Sequence, residues 1–133
     1  MKRIEIKSTE YKIVNQQDDL VLYTIDLKNE IACSFFSLKL MKAYFARNIN
    51  EEQLKKIFME INPENIEESG LIKIHIVGGD ISEESKTLLT SLVGLLYVFR
   101  DIIDIKSFDT CYKVHPDSVE FDCYHGAIRT VIS

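Results

Sequence analysis

The segment from Leu71 to Phe99 constrains the fold most. Leu71-Ile72-Lys73-Ile74-His75-Ile76-Val77 is almost continuously apolar and rich in β-branched residues. A strand of that kind is expected at the centre of a sheet, with the two helices packed on one face of that sheet. Gly78-Gly79-Asp80 then reads as a tight turn. Ser82 caps a helix with Glu83 and Glu84 in its first turn, where carboxylates oppose the helix dipole favourably. Leu88, Leu89, Leu92, Val93, Leu96 and Phe99 recur at helical spacing, and Leu95 and Val98 widen the stripe. The width of that stripe predicts a helix lying deeper than the other helix of the chain. Strand, turn and apolar helix in succession predict an α+β fold built in layers.

The remaining chain supplies the other layers. Short strands are expected at Ile4-Glu5-Ile6 and Tyr11 to Val14, followed by a polar loop, Asn15 to Asp19. Leu20 to Ile25 and Glu30 to Phe36 are stronger strands, rich in aliphatic and aromatic residues. Leu38 to Phe45 is open between a strand and the start of a helix. Asn50 and Gln53 have the spacing of a capping box, ahead of Leu54, Ile57, Phe58 and Ile61. Pro63 ends that helix, because the residue before a proline avoids helical geometry. Glu64 to Gly70 is an acidic loop. After Asp101, strands are expected at Ile102 to Phe108, around Val119 and Phe121, and at Ala127 to Ile132. His115-Pro116-Asp117 and Tyr124-His125-Gly126 are turns between them. The expectation is six to eight strands forming a mixed or antiparallel sheet, with two main helices packed on it.

Length and charge bound the function. The chain has 133 residues, which predicts one domain over residues 1–133, with a core that needs no covalent staples. Sixteen basic against twenty-one acidic side chains give a net charge of −5, which argues against phosphate-driven nucleic-acid binding. The N-terminus alternates charges with isoleucines and does not read as a signal peptide. Leu92 to Phe99 is too short to span a bilayer. Three cysteines, Cys33, Cys111 and Cys123, predict free thiols in a reduced, cytoplasmic protein.

Four constellations are candidates for chemistry. Gly78-Gly79-Asp80 stands between a strand and a helix, but its spacing is that of neither a P-loop nor a dinucleotide fingerprint. Glu83 and Glu84 would repel a phosphate there, so the structural turn is the favoured reading. Cys111, His115, Cys123 and His125 carry zinc-ligand chemistry at spacings unusual for zinc. Cys33 with His75 is a candidate nucleophile and base, against the commoner fate of such residues in a core. Glu64, Glu67 and Glu68 read as a solvated loop. No motif implies a cofactor.

The order of segments from Leu20 to Ile132 resembles the CheD family, the bacterial chemoreceptor glutamine deamidases. Three stretches carry the resemblance. Thr24-Ile25-Asp26-Leu27-Lys28-Asn29-Glu30 stands where the family has Thr-Leu-Gly-Leu-Gly-Ser-Cys, with Ile31-Ala32-Cys33 continuing the strand. Ala43-Tyr44-Phe45 stands where the family has Ala-His-Phe. Ile76-Val77-Gly78-Gly79 and Val119-Glu120-Phe121-Asp122 through Gly126-Ala127-Ile128 match the family's Phe-Gly-Gly strand end and its later hairpin. The family's Gly-Gly…Gly-Arg loop before that hairpin is replaced by Cys111 to Asp117.

The resemblance implies a shared scaffold without the family's chemistry. Both turn glycines are replaced, the nucleophile position holds Glu30 and the base position holds Tyr44. A carboxylate is a poor nucleophile toward an amide, and a tyrosine is a poor base near neutral pH. The leading reading is a noncatalytic CheD-like domain that binds another protein, such as a helical receptor or signalling protein. The second is a cysteine hydrolase or deamidase using Cys33 with His75. The third is an unrelated α+β interaction subunit. The oligomeric state stays open. A shared scaffold also predicts Thr24, Glu30 and Tyr44 in one cleft, with a Tyr44 or Thr24 oxygen roughly 2.5–3.0 Å from Glu30.

Overall fold

The computed structural model describes residues 2–27, 30–37, 39–61, 72–79, 82–98, 100–110 and 118–131. The strands among them are β1 (Lys2–Glu5), β2 (Tyr11–Asn15), β3 (Leu20–Ile25), β4 (Ile31–Ser37), β5 (Lys42–Arg47), β6 (Ile72–Gly78), β7 (Ile103–Thr110), β8 (Ser118–Asp122) and β9 (Ala127–Val131). The helices are α1 (Glu51–Ile61) and α2 (Glu83–Val98). The fold is α+β, as expected, but its strands form two sheets. One has four strands in the order β1-β3-β8-β9, the other five in the order β2-β5-β4-β6-β7. Both are mixed: β1–β3 and β6–β7 run parallel and the other pairs antiparallel. Of the ambiguous Leu38 to Phe45 segment, Leu38 lies outside the described residues, residues 39–41 are a turn and the rest belongs to β5, paired with both β2 and β4.

The five-stranded sheet is the middle of three layers. One of its faces meets the helices through Ile31, Cys33, Phe35, Tyr44, Ile72, Ile74 and Ile76. Its other face meets the four-stranded sheet through Ala32, Phe36, Ala43, Phe45 and Val77, packed on Leu22, Val119 and Phe121. Covered on both sides, β4 buries every one of its residues. This is why β4 and β6 read as nearly continuous apolar runs rather than as alternating ones. An edge-to-face pair, Phe35–Phe58, seats α1, and Phe45–Phe121 joins the sheets, with centroids 5.5 and 5.9 Å apart.

Both helix starts follow their sequence signals. The Asn50 backbone N–H donates to Gln53 Oε1 at 3.1 Å, and the Gln53 N–H donates to Asn50 Oδ1 at 2.9 Å, a complete capping box. Ser82 Oγ accepts from the Ser85 N–H at 3.3 Å. The depth of the helices is the reverse of expectation. Leu54, Ile57 and Phe58 of α1 are all sealed, whereas α2 buries Leu92, Leu95 and Leu96 but leaves Val93 44% and Val98 66% exposed. α2 forms an outer layer with one sheet face beneath it, so only one side of its wide apolar stripe finds cover. Phe99 lies outside the described residues. Leu92→Ala should lose about 2–5 kcal/mol of stability in urea unfolding. A loss below ~1 kcal/mol would contradict the packing of α2.

Candidate functional site

The sequence places Thr24 near the end of β3 and Glu30 just ahead of β4. The structure joins them through a third residue, Arg47 at the end of β5. In β5, Ala43 and Phe45 point into the core between the sheets, and Arg47 follows at the same period of two. Its guanidinium therefore reaches back across the strand ends. Arg47 Nη1 donates to Thr24 Oγ1 at 2.8 Å and to the Ile25 carbonyl at 2.6 Å. Arg47 Nη2 donates to the Asp26 carbonyl at 2.8 Å and to Glu30 Oε1 at 3.2 Å. Ser8 Oγ donates to the other oxygen, Oε2, of Glu30.

Charge and burial make this clasp strong. The side chains of Arg47 and Glu30 are 9% and 21% exposed, so the pair works in a partly water-excluded setting. Arg47 Nε is buried without a hydrogen-bond partner among the described residues. The backbone around the clasp is also unusual. Thr9, Asp26 and Asn48 sit at φ 66°, 52° and 52°, a left-handed conformation that costs non-glycine residues energy. Backbone bonds hold two of these turns in place: Thr9 N–H to the Arg47 carbonyl at 2.9 Å, and Asn48 N–H to the Ile31 carbonyl at 2.7 Å.

Gly78 and Gly79 complete the arrangement. They lie at φ 103° and 74°, and the Gly79 N–H donates to the Glu30 carbonyl at 2.8 Å. A Cβ on Gly78 would come within 2.7 Å of that same carbonyl oxygen. The glycine pair thus lets β6 pass close to the loop carrying Glu30.

Tyr44 does not join this group. It lies in the core under the helices, whereas Ala43 and Phe45, the neighbours that share Arg47's alternation, face the other sheet. Its hydroxyl is buried with no hydrogen-bond partner among the described residues, so the expected Tyr44–Glu30 bond is not formed. Burial, followed by the nearby Glu60 charge, pushes its pKa up to about 12. Thr24 and Glu30 are linked by Arg47, which donates to both. Neither Arg47 nor Ser8 belongs to a sequence motif; the one local signal for Arg47 is a basic residue in step with Ala43 and Phe45.

Cys33 and His75 are also separated. Cys33 is opposite Ile76 in the β4–β6 register, and His75 is opposite Ser34, one residue out of step. The two side chains leave the sheet on opposite faces, so they form no nucleophile–base pair. His75 hydrogen-bonds the Gly126 backbone, and burial lowers its pKa. Of the zinc candidates, Cys111 and His115 lie outside the described residues, as do Glu64, Glu67 and Glu68. Cys123 is fully buried between the sheets, while His125 is exposed and holds Asp122 Oδ2 at 2.8 Å, so these two do not converge. No group of three or more His, Cys, Asp or Glu residues suited to a metal occurs among the described residues.

Burial pushes the thiols of Cys33 and Cys123 up to about 12. A disulfide-exchange reagent at pH 8 should therefore leave both unlabelled in the folded protein and label them on denaturation. Rapid labelling of Cys33 in the native state would contradict the burial. The raised values also have a sign for stability. The unfolded thiols ionise near pH 9 and the folded ones near 12, so the fold weakens as pH rises through that interval.

No helix among the described residues is long and apolar enough to cross a membrane. No protein-family model matches the chain. The uncharacterized protein RC0132 of Rickettsia conorii is 37% identical to it over 67 residues, which are 48% of this chain and 89% of that protein. The chain belongs to one family with that rickettsial protein.

Proposed function

We propose that this member of the family is a noncatalytic protein-binding domain on a CheD-like scaffold, one that receives an amphipathic helix of its partner. The observation that carries the reading is a groove between α1 and α2, lined by Lys55, Met59, Gly94, Leu95 and Val98. Met59 and Val98 are 65% and 66% exposed there. A Cβ added to Gly94 would meet nothing within 4 Å, so the groove floor is open to close approach by another backbone. An apolar cleft between two helices suits the helix-in-groove mode of recognition.

The clasp supports the noncatalytic half of the proposal. At the position of the family's nucleophile stands a carboxylate already engaged by Arg47 and Ser8, and the Thr24 hydroxyl is taken by the same arginine. Convergence of Thr24 and residue 30 favours the CheD-like scaffold. Displacement of Tyr44 to the other sheet face argues against a surviving catalytic cleft.

The test is a titration of isotope-labelled protein with a glutamine-bearing amphipathic helical peptide, followed by amide chemical shifts. The expected shifts are those of Met59, Gly94 and Val98, and Val98→Lys should abolish them. Absence of shifts in the groove, or shifts that survive the substitution, would overturn the reading.

A further inference from the structure

β1 and β2 are each the outer strand of a different sheet: among the described residues β1 pairs only with β3, and β2 only with β5. The two open edges border a single broad groove on the side of the molecule where the sheets end. Its apolar floor includes Ile4, Val14 and Leu20. Its lysines are Lys2, Lys12 and Lys42, one from each of three strands, and Asp18 is its only acidic lining residue among the described residues. Elsewhere on the surface Lys55 pairs with Glu51, Lys86 with Glu83 and Lys106 with Asp104. Lys2, Lys12 and Lys42 make no ion pair among the described residues. In a chain of net charge −5, three unneutralised cations around one apolar groove form a local field of the opposite sign to the whole.

We propose that this groove binds an acidic peptide in an extended conformation. Three features of the groove select that occupant together. The open strand edges offer backbone N–H and C=O groups, which an extended chain satisfies by adding as a further strand. Alternate side chains of such a chain point to opposite sides. Apolar ones meet Ile4, Val14 and Leu20, and carboxylates meet the lysines. A lysine is a mobile point charge, suited to a carboxylate whose position varies along a peptide rather than to one fixed bidentate geometry. This site lies apart from the α1–α2 groove and shares none of its residues.

The test is fluorescence anisotropy of a labelled peptide of alternating glutamate and valine, with a lysine–valine peptide and inorganic phosphate as controls. Wild-type protein should bind the acidic peptide, more weakly as salt rises, and should not bind the basic one. Lys12→Glu with Lys42→Glu should weaken binding roughly tenfold or more. Both residues are on the surface, and circular dichroism reports whether the variant is folded. Lys12→Gln with Lys42→Gln, which removes charge without reversing it, should fall between the two. Equal affinity of all three proteins would overturn the proposal, as would equal binding of the basic peptide. Displacement of the peptide by millimolar phosphate alone would make this a simple anion site and overturn it too. Self-association of the wild type that Lys12→Glu abolishes would place a second copy in the groove, with the same consequence.

Discussion

Arg47→Met should destabilise the protein by roughly 3 kcal/mol, read as a lowered urea midpoint with an unchanged slope. The arginine serves four acceptors at once: the Thr24 hydroxyl, the carbonyls of Ile25 and Asp26, and the Glu30 carboxylate. Methionine fills similar space but leaves all four without their donor. Breaking a buried ion pair from one side costs about 3–5 kcal/mol. The low end applies because Glu30 keeps 21% of its side chain in water and retains Ser8. Arg47→Lys should recover only part of the loss, since a single ammonium cannot span acceptors arranged around a planar fork. A cost below ~1 kcal/mol for Arg47→Met would mean that the strand ends are held by something else.

Gly78→Ala should cost about 3 kcal/mol or more. Two effects act together at this position. At φ 103° an L side chain is strained whatever the space around it, worth roughly 1–2 kcal/mol. The new methyl would also lie 2.4 Å from Leu27 Cδ2 and 2.7 Å from the Glu30 carbonyl oxygen. The leucine tip can turn aside, but the carbonyl is backbone and accepts the Gly79 N–H. Overpacking of this kind adds roughly 1–3 kcal/mol. Gly94→Ala is the control, because its methyl meets open space in the middle of a helix and should be neutral or mildly stabilising. Equal stability of the two alanine variants would contradict the role given to the Gly78 turn.

Much of the fold was legible because local signals and burial agree. The capping box at Asn50 and Gln53 forms as its spacing implies, and the apolar runs of β4 and β6 lie in the middle layer. The division into two sheets was not legible. Strand pairing is set by contacts between distant segments, and β3 pairs with β8 nearly a hundred residues on, a choice no local pattern encodes. α2 misled for a related reason: a wide apolar stripe reports capacity for burial, while the single sheet face beneath it sets how much is covered.

The candidate site was legible in pieces. Arg47 links Thr24 to Glu30, whereas the period-two alternation of β5 sets Tyr44 on the opposite face from Arg47. The residues from Leu38 to Phe45 fit a strand and a helix start alike, so their sequence alone assigns Tyr44 no face. Cys33 and His75 depend on register between β4 and β6, and a shift of one residue decides whether they share a face. Arg47 carries no motif for its role, because its four acceptors come from the end of β3 and the loop after it, which only the tertiary fold brings to it.

Ammonia release tests the central claim most directly. The wild-type protein and Cys33→Ala are each incubated with glutamine-bearing helical peptides, and free ammonia is followed over time. With Glu30 held by Arg47 and Ser8, and Cys33 buried away from His75, both proteins should release no more than the peptide does alone. Release by the wild type that disappears in Cys33→Ala would contradict a noncatalytic domain and make this chain a cysteine amidase.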